Sequence, residues 1–290
     1  MRILQSLLVA VASLFASSVV SAQAATMAET HVPAEPLKLK ADDGVVIYGA
    51  YYQAAHPKAL ILLFHQADSS KDEYAHIAPR LVAAGYSALA IDQRAGGKLF
   101  GKNETAVKLG RPATYLDAKR DLDAAMAWGE RQGAPVILWG SSYSASLVFA
   151  VAAEHPRSVK AVLAFSPGEY FDQPMMVHEA AARVTASVYV TSSSSVDEIS
   201  AARSILAASP AQTKEQYVPS EGGVHGASTL LDSRNPRGAA ANWQAVLTFL
   251  ERVGSGLFAT GADGQRFGEH ASLRWSPRAS TQTRLRRAIG

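Results

Sequence analysis

Two kinds of hydrophobic pattern alternate along this chain. Five short stretches are apolar almost throughout: Ala59–Phe64, 87–91, 136–139, 159–165 and 187–191. Between them, apolar residues recur every three or four positions. This spacing predicts a helix over 71–84, with Tyr74, Ile77, Leu81 and Val82 on one face and Gly85 at its end. A second is expected over 115–131, with Leu122, Ala125, Met126 and Ala127 inward. Further helices are expected over 143–154, 174–184, 197–208 and 238–252, and another strand over 214–218. Leu37–Lys40 and Val45–Tyr52 flank Asp42-Asp43-Gly44, a hairpin signal. Residues 92–113 read as a glycine-rich loop. Strands apolar on both sides are covered by helices on both faces. Right-handed crossovers then give a mostly parallel, twisted sheet. Ligands bind beyond the carboxyl ends of such strands, so the residues after each strand carry the interest.

Composition narrows the picture. With 290 residues, 48% apolar and only 18% charged, the chain can bury a full core, and one domain is the simplest division. Arg2, the apolar run Leu7–Val20 and the small residues Ala22-Gln23-Ala24 predict an export signal over 1–24. A polar lead-in over 25–36, a main domain over 37–253 and a peripheral, poorly ordered tail over 254–290 follow. The apolar run is short and serine-rich for a membrane anchor, so no membrane span is expected after signal cleavage. A bacterial periplasmic or secreted protein fits. The net charge of +3 is partly carried by Arg284, Arg286 and Arg287, and no basic stripe with interleaved aromatics argues for nucleic acid. There is no cysteine, hence no disulfide and no thiolate chemistry. No histidine pair has zinc-site spacing. Neither a metal nor another cofactor is expected.

The segment Pro135-Val136-Ile137-Leu138-Trp139-Gly140-Ser141-Ser142-Tyr143-Ser144-Ala145-Ser146 runs from a buried strand into a helix through a tight turn. A serine at the tip of such a turn is presented as a nucleophile, with the helix N-terminus favouring developing negative charge. Ser142, two residues after Gly140, is in register. Ser141, Ser144 and Ser146 are rival hydroxyls, and a serine-rich helix cap with no chemistry is the plain alternative. A serine needs a base. His225, in Glu221-Gly222-Gly223-Val224-His225-Gly226-Ala227 after the last strand, suits the chain order serine, acid, histidine. His65 follows a strand but breaks that order. His56, His76, His155 and His178 fall in turns or helices.

The acid belongs after a strand between Ser142 and His225, where it fixes the imidazole tautomer. Asp197, following the strand 187–191, is the first candidate, although it also suits a helix cap. Glu169 is the competitor, and Asp172 and Glu198 are weaker options. The oxyanion requires two N–H groups, expected from Tyr143 and from Gln66 in the loop after strand 59–64. His65 is then a wall of the site. Tyr143, Tyr170, Phe171, Met175 and Phe100 are candidate pocket residues. Asp92 and Arg94 are expected to pair and hold their loop. Asp121 and Asp123, near Lys119 and Arg120, read as a solvated helix face.

Four segments carry a family resemblance: Leu62-Leu63-Phe64-His65-Gln66-Ala67, Gly85-Tyr86-Ser87-Ala88-Leu89-Ala90-Ile91-Asp92-Gln93-Arg94, Gly140-Ser141-Ser142-Tyr143-Ser144 and Gly222-Gly223-Val224-His225-Gly226. Over about 37–253 the chain resembles α/β-hydrolases of the dienelactone-hydrolase-like or compact serine esterase group. The resemblance implies an α/β-hydrolase fold without a large lid domain, Ser142 as nucleophile, His225 as base and an acid after strand 187–191. It also implies acyl transfer from an ester, thioester or amide to water through an acyl-enzyme. Two positions depart from the pattern. Ser144 stands where glycine is usual, and the family aspartate would fall nearer Ser195 than Asp197. The expected function is hydrolysis of a small or medium carboxylic ester. Peptidase or amidase chemistry, acyl transfer to an alcohol, and a non-catalytic binding role on the same fold are the alternatives.

Overall fold

The computed structural model describes residues 32–259. The expected export signal, the lead-in up to residue 31 and the tail from residue 260 lie outside the described residues. The chain forms one eight-stranded sheet in the order β1-β2-β4-β3-β5-β6-β7-β8. Strands β1 (Glu35–Lys40) and β2 (Val46–Tyr52) form the expected antiparallel hairpin. Strands β3 (Leu60–Phe64), β4 (Ser87–Ile91), β5 (Val136–Ser141), β6 (Val159–Phe165), β7 (Ser187–Thr191) and β8 (Lys214–Tyr217) run parallel to one another.

The alternation within β3 explains why its sequence is apolar throughout. Leu60, Leu62 and Phe64 enter one core layer with Leu122, Met126, Leu147, Val148, Val177 and Ile205. Ile61 and Leu63 enter the other with Leu81, Trp243, Val246 and Phe249. Successive side chains point to opposite faces, and both faces are covered. The edge strands differ. Lys38 and Lys40 on β1 and Lys214 and Glu215 on β8 place charge where an unpaired edge meets water.

Seven helices accompany these strands among the described residues: α1 (Ala78–Ala83), α2 (Glu104–Leu109), α3 (Lys119–Glu130), α4 (Tyr143–Glu154), α5 (Met176–Ala181), α6 (Val196–Ala208) and α7 (Ala239–Ala259). None is long and apolar enough to cross a membrane. The structure departs from the sequence expectations at several points. The helix expected over 71–84 is a 3-10 turn at Lys71–Tyr74 followed by α1, because Pro79 lacks the N–H an unbroken helix needs and suits the first turn of a new one. The loop 92–113 contains α2, capped by the Asn103 side chain at its start and by Gly110 in a left-handed conformation at its end. Ala127 faces solvent rather than the core. Helix α7 runs to Ala259, so the first residues assigned to the tail are helical. Between residues 166 and 186 only the short α5 intervenes.

Strand β3 lies between β4 and β5, so the chain changes direction across the sheet at β3. Phe64 at the end of β3 is level with Gly140 in β5. The loop after β3 and the turn after β5 therefore meet at the switch point, where open α/β sheets form their ligand crevice.

Candidate active site

Strand β5 ends at Ser141 and α4 begins at Tyr143, leaving Ser142 alone to make the turn. Its backbone has φ 58° and ψ −124°, a costly conformation for a residue with a side chain. The Ser142 N–H donates to the Phe165 carbonyl at 2.8 Å and fixes the turn to β6. A Cβ on Gly140 would lie 2.3 Å from the Ser144 carbonyl oxygen and 2.5 Å from the Ala145 nitrogen, so only glycine lets the helix start fold back over its strand.

The Ser142 Oγ lies 2.8 Å from His225 Nε2, and His225 Nδ1 lies 3.0 Å from Glu198 Oε1. With Nδ1–H donating to the carboxylate, Nε2 is free to accept from the serine hydroxyl. The expected serine and histidine thus meet, across 83 residues of sequence. The expected acid does not. Asp197 is exposed, and the carboxylate on His225 belongs to Glu198. The cause is helical register. Ser195 is the residue before α6, and successive helix positions are rotated by about 100°. When Asp197 faces water, Glu198 turns back to the sheet top. Glu169 is also occupied elsewhere, accepting from the Val177 and His178 N–H groups at the start of α5.

Glu198 is fully partnered. Its Oε2 accepts from the Ser166 hydroxyl at 2.8 Å and the Ser193 N–H at 3.1 Å. Burial alone would raise its pKa, but the hydrogen bonds from His225, Ser166 and Ser193 outweigh burial and hold the carboxyl at about 2. Ser166 also accepts from the Gly226 N–H at 3.0 Å, so one buried hydroxyl joins the acid to the histidine loop. Ser166 itself has φ 57°. No sequence signal marks it beyond its position after β6.

The loop after β3 is held on every side. His65 is fully buried, and burial pushes its imidazole down to about 4, so the ring is neutral. Its Nε2 accepts from the Gln93 N–H at 2.9 Å, which leaves Nδ1–H to donate to the Gln66 carbonyl at 2.7 Å. Both ring nitrogens of His65 are thus engaged by main chain, and neither is bonded to Ser142. The Gln66 N–H, expected to hold the oxyanion, instead donates to Glu73 Oε2 at 3.0 Å. The next peptide differs. Its carbonyl, that of Gln66, is turned to His65, so the Ala67 N–H points the opposite way and meets no acceptor among the described residues. The Tyr143 N–H, at the first position of α4, has no carbonyl of its own helix to bond.

Ser144, in the place of the usual glycine, is fully buried. Its hydroxyl donates to the His65 carbonyl and accepts from Gln93 Nε2, both at 2.6 Å. Gln93 Nε2 also donates to the Tyr143 hydroxyl. The departure at residue 144 therefore ties the nucleophile's helix to the loop after β3.

The candidate pocket residues separate. The Tyr170 hydroxyl donates to the Ser166 carbonyl and lies beside Ser142. Met175 is exposed, with φ 61°. Phe171 packs on the core layer containing α4 and α5, and Phe100 on the other layer with the Arg234 guanidinium over its ring. Tyr143 is buried under a stacked, partly exposed Tyr115, with ring centroids 4.4 Å apart. Asp92 and Arg94 do not pair. Asp92 takes Lys71 and the Glu104 N–H, while Arg94 bridges Asp43 and the fully buried Asp121. Asp121 is therefore a core residue, whereas Asp123 pairs with Lys119 as a surface residue would.

Residues 55–217 match the model of the family described as serine aminopeptidase, S33. The chain belongs to this family of α/β-hydrolases, and it is an enzyme of the hydrolase class. Among curated relatives, the monoacylglycerol lipase of Mycolicibacterium smegmatis is 27% identical over 122 residues, 42% of this chain and 42% of that protein. The match thus spans less than half the length of that relative. The fold of this chain is similar to that of an esterase of Pyrococcus furiosus (TM-score 0.59, 18% identity, 77% of this chain and 91% of the other). It is also similar to that of a dienelactone hydrolase of Anabaena variabilis (TM-score 0.61, 18% identity, 77% and 99%).

Proposed function

We propose that this enzyme hydrolyses small or medium carboxylic esters through a serine acyl-enzyme, with Ser142, His225 and Glu198 as the triad. The observation that carries this reading is the unbroken hydrogen-bond chain from Ser142 Oγ through His225 to Glu198, at 2.8 Å and 3.0 Å. Ser142 Oγ attacks the ester carbonyl while His225 Nε2 takes its proton. Glu198 stabilises the imidazolium and holds its tautomer. The Tyr143 and Ala67 N–H groups receive the oxyanion, a role first expected of Gln66. The imidazolium protonates the leaving alcohol, and the neutral imidazole that remains takes a proton from water as it attacks the acyl-enzyme and returns it to the Ser142 oxygen as the acid leaves.

Similarity to proteins named as esterases and a monoacylglycerol lipase supports an ester substrate. The family's description as a serine aminopeptidase favours a second reading, amide or peptide hydrolysis by the same triad. A completed triad argues against a purely non-catalytic role. We also propose that the enzyme works in the bacterial periplasm or outside the cell, on the strength of the segment over 1–24. Cell fractionation tests this.

A fluorophosphonate probe and a graded series of p-nitrophenyl esters test the main reading. Wild-type protein should label and turn over short and medium esters, and Ser142→Ala should do neither. A folded wild type that takes no probe refutes it. Preference for aminoacyl anilides over every ester selects the second reading.

A further inference from the structure

One buried ionisable group near the triad has no part in the proton transfers above. Glu73 sits in the 3-10 turn after Ser70 and is only 1% exposed. It has no Lys or Arg ion-pair partner among the described residues, and its Oε1 is buried without a hydrogen bond. An unpaired buried carboxyl is costly, and burial raises its pKa. A group kept at such cost beside a nucleophile is a candidate for function.

Its surroundings give it a task. Glu73 Oε2 accepts from the Gln66 N–H at 3.0 Å. The carboxyl also lies beside the Ser69 and Ser141 hydroxyls. Ser141 precedes the nucleophile, and its Oγ accepts from the Ala227 N–H at 2.9 Å, two residues past His225. The neighbouring Tyr74 anchors the turn, its hydroxyl donating to the Phe64 carbonyl at 2.7 Å. Glu73 thus sits where the loop after β3, the Ser142 turn and the histidine loop converge.

We propose that Glu73 is a positioning residue for acyl transfer. By accepting from Gln66 it fixes the backbone that presents the Ala67 N–H, and beside Ser141 it holds that loop against the Ser142 turn. The proposal rests on the triad reading given above. It explains why the Gln66 N–H is not an oxyanion donor: that group is the handle by which the loop is held. A small misplacement of catalytic groups costs about 100-fold in rate, as does loss of one oxyanion donor.

The test compares Glu73→Met, which keeps length but removes the acceptor, with Glu73→Gln, which retains one, on a single p-nitrophenyl ester. End-point fluorophosphonate labelling counts the competent molecules. Glu73→Met should lose about 100-fold in kcat per labelled site with KM changed less than about threefold, and Glu73→Gln about threefold. Affinity for a trifluoromethyl ketone, which forms an oxyanion, should fall in step with kcat/KM. Should Glu73→Met fail to fold, Glu73→Asp serves instead. It withdraws the acceptor by one methylene and should lose about 30-fold, against the smaller loss in Glu73→Gln. Wild-type kcat per labelled site in the Met or Asp variant overturns the proposal, as does a loss no larger than the drop in labelled fraction. An inert wild type would instead overturn the underlying triad reading, and this proposal with it.

Discussion

The two walls of the cleft are built differently. On one side, Ser141, Ser144, His65 and Gln93 are all fully buried and bonded to one another or to main chain. On the other, the His225 side chain is 41% exposed and that of Glu198 is 26% exposed. In the proposed mechanism the first wall carries the groups whose work is to stand still, the serine and the N–H donors. A network packed away from water holds such groups to a single geometry. In that proposed mechanism the second carries the group that exchanges protons with serine, leaving alcohol and water, and a histidine on a partly open loop has that access. Ser166 is the fixed point of this looser wall, joining Glu198 to the backbone after His225.

The largest test of this contrast removes one member from each wall. Ser142→Ala and His225→Ala should each reduce kcat on the order of 10⁶-fold, and the double variant should be little worse than either, because the two act as a unit. Multiplicative losses would mean that the walls act independently. Next, Glu198→Gln should lose about 10⁴-fold through a wrong or unsupported imidazole tautomer, whereas Asp197→Asn should stay within about twofold of wild type. Reversal of those two results would move the acid one residue back along α6.

Stability against pH separates the walls again. His65 titrates near 4 when folded and near 6.5 when unfolded. Between those values the unfolded chain binds the extra proton, so stability falls as pH drops through that window, by about 3 kcal/mol for a shift of this size. Glu198 has the same sign in a lower window. Its carboxyl, near 2 when folded and 4.5 unfolded, withdraws stability as pH falls from about 4.5 towards 2. Denaturant melts of wild type and His65→Asn at pH 7 and 4.5 should show the flatter dependence in the variant. An unchanged slope would mean that His65 is not held neutral. The smallest effect belongs to Ser144→Ala, which leaves the His65 carbonyl and one Gln93 bond without their hydroxyl. About 1–2 kcal/mol of stability should be lost, with a modest fall in kcat. No change would mean that residue 144 is merely a tolerated small side chain.

Much of the fold is legible in the chain because local pattern and tertiary placement agree. β4, α4, β6 and β7 fall at the residues their apolar runs and helical spacing indicate. Helix α2 escapes the pattern although Asn103 and Gly110 supply its cap signals, since ETAVKL is only six residues long and its neighbouring glycines suggest a loop. Asp121 departs from expectation for a different reason. Its sequence neighbours are charged, but its helix face turns to Arg94, a partner 27 residues away.

The chain by itself determined the alternation of elements, the doubly covered sheet, the Gly140–Ser142 turn and the histidine expected to reach it. Each is encoded in a contiguous stretch whose periodicity or steric demand is local. Which carboxylate reaches His225, and which N–H remains free for an oxyanion, were decided only by tertiary structure. Asp197 and Glu198 differ by one step around a helix, and Gln66 and Ala67 by one peptide plane. Their roles depend on partners, Ser166 and Glu73 among them, that only folding brings near.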